Sequence, residues 1–142
     1  MTVQKILREK GGEIFGCAPE TSVAALCAEL SRRRIGAVVI LDGDRLAGIV
    51  SERDVVHALA RYGSAALERR AADIMTRTVE TCRPEDPISE VMQRMTKGRF
   101  RHFPVLIDGR LIGLISIGDV VKHRIAEAER EAAAMREYII TV

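Results

Sequence analysis

The chain has 142 residues, 47% hydrophobic and 30% charged, with a net charge of +2. That is enough apolar material for one compact domain or two small halves sharing a core. Acids and bases are interspersed and no apolar run nears the roughly 18 residues of a membrane span, so neither a nucleic-acid arm nor a membrane segment is expected. In chain order, Val3 to Lys10 reads as a short helix ended by Gly11-Gly12, and Glu13 to Gly16 as a short strand. Thr21 caps a helix whose apolar positions, Val23, Leu26, Cys27 and Leu30, follow the i, i+3, i+4, i+7 spacing of one buried face. Arg32 to Arg34 close that helix as a solvated, cationic end. Ala37 to Leu41 is an apolar run of strand length, Asp42-Gly43-Asp44 a hairpin turn, and Leu46 to Ser51 the return strand. A helix over Glu52 to Tyr62 stops at Gly63.

The same programme then runs again. Asp86 caps, Pro87 takes the first helical position, and Ile88, Val91, Met92 and Met95 repeat the buried face. Phe103 to Ile107 is a strand, Asp108-Gly109 the turn, and Arg110 to Ser116 the return. A last helix is predicted from about Gly118 to about Met135, Ala- and Glu-rich, suited to a solvated extension or to a dimer arm. The offset between the copies is fixed, at 65 residues: Cys17 falls on Cys82, Arg34 on Arg99, Gly48 on Gly113, Ser51 on Ser116 and Asp54 on Asp119. Self-similarity of this length marks two units, 1–72 and 73–142, which should pack face to face with pseudo-twofold symmetry and leave equivalent clefts between them.

Three cysteines with no Cys-x-x-Cys pairing argue against a disulfide framework and suit a reducing compartment. With His57, His102 and His123 they depart from zinc-ligand spacings, so no metal is expected. Met1 to Ile6 lacks the apolar stretch of a signal peptide, and a cytoplasmic protein is the expectation. Enzyme signatures are missing. Gly43 and Gly48 have the outer spacing of a P-loop, but Ile49-Val50 stand where Lys and Ser or Thr would meet phosphate and magnesium.

Ile49-Val50-Ser51-Glu52-Arg53-Asp54 and Leu114-Ile115-Ser116-Ile117-Gly118-Asp119 each close a unit. Together with the lead-in Asp73-Ile74-Met75-Thr76 and the strand Arg101-His102-Phe103-Pro104-Val105, they make the chain resemble the CBS-domain pair, or Bateman module, in its small stand-alone form. The resemblance implies an α/β (α+β) fold of tandem β-α-β-β-α repeats. It also implies an adenine nucleotide as ligand: AMP first, with ATP, NAD(H) or S-adenosylmethionine in some members. By the same resemblance the Asp of Ser-x-x-Asp holds the ribose hydroxyls, residues before Pro104 meet phosphate, and apolar groups border the base. That assigns Asp119, Ser116 and Ile117 to the sugar side, Arg101, His102, Phe103 and Pro104 to the phosphate strand, and Val79 and Thr81, on a short strand, to the base. The first unit's counterparts are Asp54, Ser51, Arg53, Gly36 and Ala37.

The chemistry of these residues fits the assignment. An ionised Asp is acceptor-only and can take both hydroxyls of a ribose. Taken from one unit alone, Ser116 and Asp119 read equally well as a helix cap; their copy at Ser51 and Asp54 favours the ribose role. Arg101 offers a planar fork of donors that matches phosphate oxygens, and His102 a further donor. The first unit has neither cation nor Pro at Gly36-Ala37, and Arg53 is the candidate substitute there. The reading is a regulatory nucleotide sensor of energy or redox state, not an enzyme, acting as a homodimer on a further protein. The alternative is a ligand-independent interaction module of the thioredoxin-regulator kind.

Overall fold

The computed structural model describes residues 1–11 and 14–141. In order, the elements are α1 (Val3–Lys10), β1 (Gly16–Cys17), α2 (Val23–Arg33), β2 (Ala37–Asp42), β3 (Arg45–Ser51) and α3 (Glu52–Tyr62). A 3-10 turn (Gly63–Glu68) and the one-turn α4 (Ala71–Ile74) follow, then α5 (Ile88–Gly98), β4 (His102–Ile107), β5 (Arg110–Ser116) and α6 (Ile117–Thr141). This is the expected α/β (α+β) chain of two tandem units, and the repeat is kept down to the register. Ala37 pairs with Ser51 and His102 with Ser116, and each hairpin carries its irregularity at the same place, Ile40/Leu41 and Val105/Leu106. β1 runs parallel to β2 with Cys17 opposite Ile40; 65 residues on, Cys82 makes a single parallel bridge to Val105.

The strand expected through Val79 and Thr81 therefore does not form. Only Cys82 reaches β4, through Cys82 N to Pro104 O (3.0 Å) and Leu106 N to Cys82 O (2.9 Å). The Thr81 carbonyl instead accepts from the Arg94 guanidinium at 2.7 Å. Part of the other expected short strand, Glu13, lies outside the described residues; the strand itself is Gly16–Cys17. Two helix starts also move by one residue. Ser22, not Thr21, caps α2, its hydroxyl accepting from Ala25 N at 3.1 Å, because the Thr21 carbonyl is taken by Ala71 N at 2.7 Å. Pro87 is the cap of α5 rather than its first helical residue, with extended backbone; Asp86 closes the turn before it by accepting from Arg83 N at 2.9 Å. α6 begins at Ile117 and runs on to Thr141, past the expected end at Met135.

Each hairpin packs its helices into its own core. Leu26, Leu30, Val38, Ile40, Val50, Val55 and Ala71 make the first; Val3, Ile6, Ile88, Val91, Phe103 and Ile115 are among the second. Helix α1, first in the sequence, thus completes the core of the second hairpin, while α4 completes that of the first. The bridges Thr2–Pro87 and Ser22–Arg70 mark these two matching attachments. Phe103 is the largest fully buried side chain, and truncating it to Ala should cost about 3–5 kcal/mol.

The two units meet along β3 and β5 and at the strand entries. There Gly36 leaves room for a neighbour: a Cβ on it would stand 3.2 Å from His102 Nε2. The same offset governs how the last helix of each unit starts. Glu52 N donates to the Gly36 carbonyl (3.0 Å) and Ile117 N to that of Arg101 (2.8 Å).

Candidate functional site

Both Ser-x-x-Asp segments fold into reciprocal caps. Ser51 N donates to Asp54 Oδ2 (2.8 Å) while Asp54 N donates to Ser51 Oγ (3.3 Å). Ser116 N donates to Asp119 Oδ2 (2.9 Å) and Asp119 N to Ser116 Oγ (3.1 Å). These pairs satisfy orphan N–H groups at the starts of α3 and α6. The cap also fixes each carboxylate at the mouth of a cleft between the units, so capping and ligand binding are compatible roles for one side chain.

The clefts are built across units, not within them. In the first, Ser51, Arg53 and Asp54 of one unit meet Arg99, Arg101 and His102 of the other, around about 480 Å³. Thr76 lies in the same cleft and donates its hydroxyl to Asp54 Oδ1 at 3.1 Å. Thr76 is fixed by paired backbone bonds with Ile49, at 2.9 and 3.0 Å. Among the described residues, Arg53, Arg99 and Arg101 form no ion pair. Arg99 holds a left-handed backbone (φ 59°) at the end of α5, as Arg34 does (φ 54°) at the end of α2.

In the second cleft, about 1150 Å³, Ser116 and Asp119 meet Arg34, Gly36 and Ala37 of the first unit. Lys10, from the last turn of α1, reaches in and donates to Asp119 Oδ2 (2.8 Å) and to the Leu114 carbonyl (2.9 Å). Burial raises the Asp119 pKa, but the Lys10 ammonium and the Ser116 donors outweigh it and hold the carboxyl below its usual range. Arg33 lies over the Phe15 ring at 3.9 Å, and Glu29 binds both Arg32 (2.7 Å) and Arg33 (2.8 Å) from the helix side. Arg34, in contrast, makes no ion pair among the described residues.

His102 borders both clefts. Burial, then the nearby Lys10 charge, push its pKa down; Glu52 and Asp119 oppose this and Arg101 adds to it. The ring is a neutral donor–acceptor at neutral pH.

The sequence-predicted residues thus divide. Arg101 and His102 stand with Asp54, Ser51 and Arg53; Asp119 and Ser116 stand with Gly36 and Ala37. Ile117 lies beside Arg53 and Arg101 in a smaller hollow next to the first cleft. Phe103 and Pro104 are buried, Phe103 in the second core. Val79 lines neither cleft, and Thr81 lines a separate hollow with Arg83 and Arg94. The sequence reading missed Thr76, Arg99, Arg34 and Lys10. Thr76 stood in the lead-in motif. Arg34 and Arg99 could have been found, because the repeat superposes them at a strand entry. Nothing in the sequence pattern pointed to Lys10. Among the described residues, no group of three or more His, Cys, Asp or Glu is placed to hold a metal ion. No helix among them is long and apolar enough to cross a membrane.

Comparison with known proteins agrees with this architecture. CBSX3, a mitochondrial CBS domain-containing protein of Arabidopsis thaliana, is 31% identical over 97% of this chain and 71% of its own length. The crystal structure of the CBS-domain containing protein ATU1752 from Agrobacterium tumefaciens superposes with a TM-score of 0.85 at 41% identity, covering 87% of this chain and 99% of that one. The structure of CBSX2 in complex with AMP shares the fold at 24% identity (TM-score 0.74, 89% of this chain and 98% of that one). The family model of the CBS domain matches twice, over residues 12–61 and 71–126. With both units matched and the cross-unit clefts in place, the chain belongs to the CBS domain family as a CBS pair.

Proposed function

We propose that this CBS pair is a regulatory sensor of an adenine nucleotide, AMP before ATP, NAD(H) or S-adenosylmethionine, and that it transmits occupancy to a further protein rather than catalysing a reaction. The observation that carries this reading is the ring of Arg53, Arg99 and Arg101, unpaired among the described residues, in the cleft of Asp54. Guanidinium groups left free beside a capped carboxylate suit a ligand with an anionic end and a diol end. Asp54 takes the ribose and Arg101, with Arg53 and Arg99, the phosphate. Asp119 and Ser116 with Arg34 form a second position for the same kind of ligand; Gly36 and His102 border both clefts, and Ala37 lines the second. That CBSX2 has been crystallised with AMP supports the choice of nucleotide.

The chain acts as a homodimer in this reading. Val56 on α3 (60% exposed) and Val121 on α6 (37%) are equivalent positions, flanked by the exposed Leu59 and Ile125, and give both units a matching apolar face to cover.

Titration calorimetry of the purified chain with AMP, adenosine and inorganic phosphate tests the sensor. AMP should bind more tightly than either fragment. Absence of AMP binding at millimolar concentration would overturn the reading and favour a ligand-independent interaction module.

A further inference from the structure

Beyond residue 127, α6 leaves the body of the protein. Residues 128–141 are exposed throughout, although the helix continues to Thr141. The CBS match ends at residue 126, where this free segment begins. About 21 Å of lone helix, at roughly 1.5 Å per residue, is marginal in water without packing. Yet this one ends in bulky apolar groups: Met135 is 61% exposed, Tyr138 66%, Ile139 68% and Ile140 82%.

The apolar residues have a coiled-coil period. Val121, Ile125, Ala128, Ala132, Met135 and Ile139 follow one another at steps of 4, 3, 4, 3 and 4, which is a continuous d/a seam. All six are exposed. The seam lies roughly 100° around the helix from the core-facing Val120 and roughly 160° from His123, so it is free for a second helix. The flanking charges select the occupant. Arg124 and Glu131 hold g positions, Lys122, Glu129 and Arg136 hold e positions. In a parallel, in-register pair of identical helices each g residue meets the e residue five places on in the other chain. That sets Arg124 against Glu129 and Glu131 against Arg136, opposite in sign both times, and twice over by symmetry. The antiparallel pairing that overlaps the whole seam instead sets Glu129 on Glu129, Glu131 on Glu131 and Lys122 on Arg136.

We infer that the projecting half of α6 forms a parallel, in-register two-stranded coiled coil with a second copy of this chain, along the seam from Val121 to Ile139. The inference deepens the homodimer reading above, and it can fail while that reading stands.

Sedimentation of the full chain from about 1 to 100 µM tests it, with Glu131→Arg, Glu131→Arg/Arg136→Glu and Ala132→Cys variants checked for fold by circular dichroism. Glu131→Arg removes two attractions and creates two repulsions, so the dimer dissociation constant should rise about tenfold. The double variant should return close to the parent. Ala132→Cys should form an interchain disulfide with its own copy in a glutathione couple, faster than the parent with its three native thiols. A dimer indifferent to Glu131→Arg, a double variant that is not rescued, or an Ala132→Cys chain that crosslinks only to one carrying Ala128→Cys would overturn the parallel pairing while leaving the homodimer. A parent monomeric at 100 µM would overturn both.

Discussion

Lys10 and Asp119 stand to each other as Thr76 and Asp54 do. The Lys10 ammonium is 2.8 Å from Asp119 Oδ2, and the Thr76 hydroxyl is 3.1 Å from Asp54 Oδ1. Each donor also anchors to the middle of the neighbouring strand: Lys10 Nζ to the Leu114 carbonyl, and Thr76 N to that of Ile49, 65 residues earlier. One cleft therefore presents a carboxylate held by a neutral hydroxyl. The other presents a carboxylate already neutralised by a flexible cation.

This difference makes the second cleft the one with a tethered competitor. A ribose at Asp119 must displace the Lys10 ammonium. The pair is partly exposed, 42% at Lys10 and 25% at Asp119, so the competition should be worth no more than about 1 kcal/mol. In an Asp54→Ala background, Lys10→Met should strengthen adenosine binding at the second cleft by a few-fold, read by calorimetry. Weaker binding would mean that Lys10 serves the ligand instead of opposing it.

Because the clefts are assembled across units, Arg101 should act with Asp54 and not with Asp119. Arg101→Leu should weaken AMP at the first cleft about ten- to a hundredfold, the equivalent of roughly 1.5–3 kcal/mol for a charge-assisted hydrogen bond. Adenosine should hardly change. Asp54→Ala should weaken both ligands there, and Asp119→Ala should leave that cleft intact. Calorimetry on the three variants separates these outcomes; a loss of the same AMP site in Asp119→Ala would reassign the phosphate grip.

His102 gives stability a pH dependence. Its pKa is lowered in the folded protein, by burial and then by Lys10, so the unfolded chain binds the proton more readily. Stability from this source is complete above the ordinary His value of about 6.5 and falls as the pH drops below it. Urea denaturation at pH 7.5 and 5.5 should show the loss, and it should be smaller in His102→Ala, which installs the residue found at the matching position 37. An equal loss in the variant would place the titration elsewhere.

Gly48 and Gly113 are equivalent in the repeat but not in what surrounds them. A Cβ on Gly48 would stand 2.8 Å from the Thr76 carbonyl oxygen, which is fixed backbone. One on Gly113 would meet only the end of the Leu7 side chain, at 2.5 Å. Gly48→Ala should cost about 1–3 kcal/mol and weaken the Asp54 cleft by moving Thr76. Gly113→Ala should cost less and be largely relieved by Leu7→Ala, as thermal denaturation of the three proteins would record.

The fold was legible because the repeat is exact in length and each element carries a local signal. The face of α2 at Val23, Leu26 and Leu30 and the apolar run of β2 from Ala37 lie within single elements, where period and turn residues decide. The site was legible only as residue types. Arg101 and Asp119 flank one hairpin, and sequence proximity suggested one cleft; packing the two hairpins about a common axis exchanges the partners. Which strand entry faces which helix cap is a property of the interface, and no periodicity encodes it. Lys10 was invisible for the same reason, since it reaches its carboxylate across more than a hundred residues of chain. The strand at Val79 to Thr81 failed because Pro104 stands where the first unit has Val39, and without an N–H it cannot donate the ladder bond that would hold the chain upstream of Cys82.

The exchange of α1 has a consequence for the order in which this polypeptide can fold. Val3 and Ile6 are fully buried, but among residues such as Ile88, Phe103 and Ile115. A chain made from its N-terminus can complete the first core once residues through α4 are available, because Ala71 belongs to it. Its first helix has no apolar surface to join until β5 has been synthesised. The residues of α1, made before either core, are thus among the last to be buried, and they travel as an unsatisfied amphipathic segment alongside a hairpin that is already closed. An emerging chain probed by limited proteolysis should be cut near Lys5 and Arg8 until Ile115 has cleared the ribosome, and be protected there afterwards.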